Sequence, residues 1–285
     1  MAAIVLLVVF AGIALMVHKS RRVRFRKVDS TLNRERGMRL DKMLEEREGD
    51  RLSDSQRKVI EENVGLYDWV PEELRGPWEE RILVFLESFP FTDMEDGPVT
   101  EEMRLLVAAE ACLLIVRRSK DDYKQLRRVK FSPRDLSTFG EESKWAGDAS
   151  RTTVRMGWYW TQNGMEDGED NYNLTIHEYA HVLDAAHDGK SEASIKLGDY
   201  KTTREWLKFA KESYKRLCSL WDRDAHYKEP VIRKYGTTNM AEFFACATEA
   251  FFEVLAACNM ATFNSETFFS KEFIVFVKTS RCFCA

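Results

Sequence analysis

Asn173-Leu174-Thr175-Ile176-His177-Glu178-Tyr179-Ala180-His181-Val182-Leu183-Asp184 is the stretch on which the reading of this chain turns. Its flanking residues (Leu174, Ile176, Ala180, Val182, Leu183) are apolar, as expected for an active-site helix lying against a core. On a helix, residues four apart lie only about 40° apart around the axis, so the rings of His177 and His181 can converge on one metal ion. Glu178 sits about 100° round from His177, beside the metal rather than on it. From there a carboxylate can take a proton from a metal-activated water and pass it on. Asp184, seven residues after His177, falls on the metal-facing side and is expected to orient a ligand imidazole.

A third ligand must come from elsewhere, and two candidates compete. His187 lies six residues after His181, as in the HExxHxxGxxH pattern of metzincin-type proteases, but Asp184 occupies the glycine position at which that pattern turns the chain. Glu242 lies in Asn239-Met-Ala-Glu242-Phe-Phe-Ala-Cys-Ala-Thr-Glu249-Ala-Phe-Phe-Glu253. Glu242 and Glu249 are seven apart and share a helix face, against a stripe of Phe243, Phe244, Phe251 and Phe252. A carboxylate pointing inward from such a helix is costly unless it is paired or bound to a cation. On this reading Glu242 binds the metal and Glu249 hydrogen-bonds a ligand histidine.

Outward from the motif, the C-terminal third is strongly helical, with helices expected near 172–187, 203–221, 239–259 and 266–279. Upstream, helical patterns run over 76–89, with Pro77 in the opening turn, and over 99–117, with Thr100 as cap and Glu101 and Glu102 in the first turn. Two β-like runs, near 126–131 and 152–159, stand between these helical groups, and NGMEDGEDN (163–171) is expected to be a loop. The pattern is α+β, a helix-dominated domain with a small sheet.

The N-terminus has a different character. Residues 2–17 are an unbroken run of 16 apolar or small residues, near the short limit for a spanning helix. No basic residue precedes the run, but Lys19, Arg21, Arg22, Arg24, Arg26 and Lys27 follow it, giving residues 1–27 a charge of +6. The positive-inside rule then predicts a single-pass anchor in the inner (cytoplasmic) membrane with the body in the cytoplasm. With a total of −4, the rest of the chain carries −10, which argues against a nucleic-acid partner. Cys112, Cys218, Cys246, Cys258, Cys282 and Cys284 form no CxxC pair and suit a reduced compartment. The expected organisation is a transmembrane anchor over 1–18, a charged linker over 19–57 that becomes helical toward Leu40–Arg47, and a metallopeptidase domain over 58–285.

Over roughly residues 60–280 the chain resembles the Mlc titration factor A family of zinc peptidases. The resemblance rests on AAEACLLIVRRSKDDY (108–123), the strand-like run ending in Gly157-Trp158, NLTIHEYAHVLD (173–184) and NMAEFFACATEAFFE (239–253), in that order. It implies a zincin-like catalytic domain, similar to that of anthrax lethal factor, holding one Zn²⁺ per chain. It also implies Glu242 as third ligand beside His177 and His181, and Tyr235, seven residues before Glu242, at the active site, where its phenol supports the oxyanion. Glu178 is the implied general base, and the implied substrates are peptides or proteins, with aminopeptidase action on short peptides as one form. Two departures stand out: AAHDGKSEASIK (185–196) replaces the family's glycine-rich stretch, and Thr248 stands where serine is usual. The competing expectation is a non-catalytic regulatory protein that binds a transcription factor or other cytoplasmic partner, its zinc structural. An intact Glu178 argues against it, since a structural site has no use for a general base.

Overall fold

The computed structural model describes residues 30–93, 98–116, 118, 122–132, 146–168, 170–186, 192–193, 195, 200–222 and 231–257. Within them lie helices α1 (30–46), α2 (Asp54–Asn63), α3 (Glu72–Ser88), α4 (Glu101–Leu113), α5 (Trp158–Glu166), α6 (Leu174–Ala185), α7 (Tyr200–Trp221) and α8 (Met240–Ala257). Four short strands, β1 (Phe91–Asp93), β2 (Arg128–Ser132), β3 (Gly147–Ser150) and β4 (Thr153–Gly157), form one sheet in the order β1-β2-β4-β3. β1, β2 and β4 are parallel and β3 is antiparallel to β4, so the sheet is small and mixed. The fold is therefore helix-dominated α+β, as the sequence pattern predicts.

The central helices form for local reasons. Thr100 accepts a hydrogen bond from Met103 N at 3.1 Å to cap α4, and Asn173 does the same for α6 through Ile176 N at 3.0 Å. In α4 every residue from Leu105 to Leu113 is buried, so this helix runs through the core. α6 packs on α8, on α4 and on β3 and β4. Val129, Phe131, Val154 and Met156 give the sheet an apolar face with no exposure, each side chain stabilising by roughly 1.5–3 kcal/mol. An aromatic cluster of Phe85, Phe89, Tyr123 and Tyr179, with ring centroids 4.6 to 6.0 Å apart, locks α3 to the back of α6.

Several elements differ from the sequence reading. α3 starts at Glu72, behind Pro71 and with Glu72 and Glu73 in its first turn, so Pro77 lies inside the helix. That start signal outweighs the single backbone bond a proline forfeits. The strand read as 152–159 stops at Gly157, and Trp158–Glu166 is helical where a loop was expected from 163 onward. Gly164 explains why a glycine-bearing stretch is a helix here. A Cβ at that position would stand 2.6 Å from Tyr172 O and 3.0 Å from Asn173 Cα, so α5 closes on the start of α6 only with glycine. The stretch 30–57, read as a charged linker turning helical toward Leu40–Arg47, is helical already from residue 30; it carries Leu40, Met43 and Leu52 into the core, and Arg36 Nη2 donates to Ser88 O at 3.0 Å. Arg127 also donates to Asn33 Oδ1.

Among the described residues no helix is long and apolar enough to cross a membrane. The run 2–17, the expected helix over 266–279 and His187 lie outside the described residues. Cys112, Cys218 and Cys246 are free thiols.

Candidate metal centre

α6 and α8 lie side by side, and a polar seam runs between them. From α6 it takes His177 and His181, and from α8 it takes Glu242, Cys246 and Glu249. Asn239 Oδ1 accepts from the backbone N–H groups of Ala241 and Glu242 at 2.9 and 3.0 Å and so starts α8. Glu242 thus sits in the first turn, where the helix dipole favours a carboxylate. Glu242 Oε2 is 3.0 Å from His177 Nε2 and 3.3 Å from His181 Nε2, and the two nitrogens are 3.2 Å apart. The imidazoles stand nearly perpendicular, at 82°.

Three lone-pair atoms therefore face one point, and no pair of protons can bridge all three contacts. The donor set of two imidazole nitrogens and one carboxylate oxygen suits a borderline divalent cation such as zinc. Among the described residues these three side chains form one of two groups able to hold a metal ion; the other is His177, Cys246 and Glu249. That second group lies beneath His177, on its Nδ1 side, and there a bond already exists. Glu249 Oε2 is 3.0 Å from His177 Nδ1, which leaves Nε2 to carry the lone pair toward Glu242.

Electrostatics follow the same division. Burial opposes a charge on Glu242, but hydrogen bonds from His177 and His181 outweigh it and hold its carboxyl down at about 2. Burial likewise works against Glu249, yet His177 and Arg233 lower its pKa overall. For His177 burial disfavours the charged ring, and Glu249, Cys246 and Glu242 more than reverse this.

Glu178 has the opposite environment. It is buried, Oε2 has no hydrogen-bond partner, and burial pushes its carboxyl up to about 8. It faces β3 at Gly147, where an added Cβ would meet Glu178 Oε1 at 3.0 Å and Arg155 O at 2.9 Å. The strand can pass this close to α6 only because that residue is glycine.

A 3₁₀ turn over Lys234–Thr237 sets the half-exposed Tyr235 above the ring of His177, with centroids 5.9 Å apart. Asp184 is not where the motif spacing put it. It is fully buried, its Oδ2 accepts from Ala193 N at 2.9 Å, and it bonds neither imidazole.

Two residues in the seam had no signal in the sequence pattern. Asn173 caps α6, donates through Nδ2 to Glu110 Oε1 at 2.7 Å, and donates through its backbone N–H to Glu249 Oε1 at 3.1 Å. Arg233 Nη2 donates to both oxygens of Glu249, at 2.8 and 2.7 Å. Asn173 opens the stretch that holds the two histidines, yet nothing in that stretch names its partners. A lone arginine 16 residues from its partner leaves no local mark at all.

An uncharacterized protein of Synechocystis sp. is 29% identical over 211 residues, covering 68% of this chain and 74% of that protein. Residues 36–262 match the family described as glucose-regulated metallo-peptidase M90, a span that holds both helices of the seam and agrees with the resemblance carried by residues 60–280. The chain belongs to the M90 family of glucose-regulated metallopeptidases.

Proposed function

We propose that this chain is a zincin-like zinc peptidase that hydrolyses peptide bonds with Glu178 as general base. The observation that carries the reading is the meeting of His177 Nε2, His181 Nε2 and Glu242 Oε2 within 3.3 Å, with Glu178 buried and its Oε2 without a hydrogen-bond partner. Zinc held by those three atoms supplies Lewis-acid polarisation of the scissile carbonyl and makes water acidic near neutral pH.

The chain's own groups do the rest. Glu178, with one oxygen free, takes the proton of the attacking water and returns it to the leaving amine. Burial keeps the carboxylate weakly solvated, and hence basic, until it acts. The Tyr235 phenol donates to the oxygen that becomes negative in the transition state. Glu249 holds His177 in one tautomer through Nδ1.

A peptide substrate is supported by the sheet. β3 pairs with β4 on one side only among the described residues, and it passes directly over Glu178. An extended peptide adding to that edge would run across the seam. The same proposal keeps the N-terminal run 2–17 as an anchor in the cytoplasmic membrane, supported by the basic residues after it. A reporter fused after residue 60 tests the topology, and activity on the outer face would reverse it.

The enzymatic reading is tested with the full-length chain loaded with zinc and a mixture of short peptides, comparing wild type with Glu178→Gln. Hydrolysis that disappears in a variant with unchanged zinc content supports it. Equal behaviour of the two, with zinc bound in both, would move the assignment to a regulatory protein with structural zinc.

A further inference from the structure

We infer that Arg233 is a positioning residue for the metal centre, acting through Glu249. The inference rests on the zinc reading above and concerns what fixes His177 in that site.

Glu249 has no exposed surface, and a carboxylate so placed must have its charge answered by donors. Oε1 accepts from Asn173 N at 3.1 Å and from Arg233 Nη2 at 2.8 Å. Oε2 accepts from Arg233 Nη2 at 2.7 Å and faces His177 Nδ1 at 3.0 Å. Arg233 supplies the only cationic side chain in this set apart from the histidine itself. Its Nη2 also comes within 3.4 Å of His177 Nδ1, on the side away from Glu242.

Arg233 belongs to neither helix of the seam. It precedes the turn that carries Tyr235, and its guanidinium carbon lies 4.6 Å from the centre of the Tyr172 ring and 5.7 Å from that of Tyr235. One side chain therefore joins three things: the carboxylate that orients His177, the aromatic residue just before α6, and the phenol above the site. Removing it would leave Glu249 buried with a single backbone donor besides His177. The carboxylate would then be free to turn, and the imidazole with it. Lysine is no substitute, because an ammonium is a point donor that cannot lie flat between two rings.

The test uses the full-length protein and the metal alone. Zinc affinity is measured by competition with a chelating dye, and the visible spectrum of the cobalt-loaded protein reports ligand geometry. The variants are R233M, R233K, E249Q and the double variant R233M/E249Q. R233M is expected to weaken zinc binding by about 10- to 100-fold, the usual cost of losing a partner of a ligating histidine, and to shift the cobalt bands. R233K should lose most of the same affinity, and it carries the comparison alone if R233M does not fold. In the E249Q background R233M should add almost nothing, because its route to the metal is already cut.

Wild-type affinity and an unchanged cobalt spectrum in folded R233M or R233K would overturn the inference while leaving the zinc reading intact. Losses that add in the double variant would overturn it too, since Arg233 would then act independently of Glu249. A wild-type chain that takes up no zinc would overturn the underlying reading, and this inference with it.

Discussion

Two pairs of glutamates lie in the same helical layer and live in opposite electrostatic conditions. Glu242 and Glu249, on α8, meet two imidazoles, a guanidinium and a backbone N–H, and their pKa values are held low. Glu110 on α4 and Glu253, one turn beyond Glu249 on α8, are fully buried but poorly partnered. Glu110 Oε2 and both oxygens of Glu253 have no hydrogen-bond partner, and burial pushes the two carboxyls up to about 8 and about 10. Glu249 and Glu253 share one helix and have no exposed surface, so burial alone does not make a charged site. What differs is the supply of donors: the ionised pair faces His177, His181 and Arg233, while the neighbours of Glu253 are Glu249, Asp170 and Glu110, all acids.

The comparison is broken most severely by removing a member of the charged pair. Glu242→Ala should lose zinc and lower peptide hydrolysis by several orders of magnitude, since metal catalysis goes with the metal. Glu253→Gln, on the same helix, should keep both, because a neutral amide replaces an already neutral acid. Metal analysis beside a turnover assay separates the two.

Next in size is Glu178→Gln. This change leaves the three metal-facing atoms in place but removes the proton acceptor, so hydrolysis should fall about 10²–10⁴-fold with zinc content unchanged. A smaller loss, about 10²-fold in kcat with little change in KM, is expected for Tyr235→Phe, which deletes one donor to the oxyanion. A loss confined to KM would assign Tyr235 to substrate packing instead.

The smallest effect concerns stability and sharpens the neutral side of the comparison. Glu110 has a folded pKa of about 8 against an ordinary 4.5. Between these values the folded chain keeps a proton that the unfolded chain has released, so stability falls as pH rises through that window and levels off above it. Glu110→Gln cannot ionise. Relative to this variant, the wild type should lose on the order of 3 kcal/mol between pH 5 and pH 8. Urea melts of both proteins at several pH values read the slope directly, and parallel curves would mean that Glu110 is ionised and paired after all.

These features differ in how far the amino-acid sequence announces them. α6 is legible because its apolar flanks and its two histidines fall within 12 consecutive residues. The Glu242–Glu249 face is legible for a similar reason, since a seven-residue spacing closes on a helix. β3 and α5 escape because they are short and exist through contacts with residues elsewhere: Gly147 under α6, and Gly164 against Asn173. Charge misleads over 30–57, where acidic and basic residues cover the outer face of α1 while Leu40 and Met43 point inward. Asp184 shows the limit of angular reasoning, because its partner, the backbone N–H of Ala193, comes from the segment after α6. Arg233 and the tyrosine two residues later come together with α6 only in three dimensions, so Tyr235 was visible through family resemblance alone and Arg233 through neither route.

The account stands on the metal centre, and zinc stoichiometry tests it most directly. Metal analysis of the full-length protein, for wild type, His177→Ala, Glu242→Ala and His187→Ala, should give one zinc per chain in the first and last proteins and none in the other two. Zinc retained by Glu242→Ala but lost from His187→Ala would contradict the account by placing the third ligand on the segment after α6.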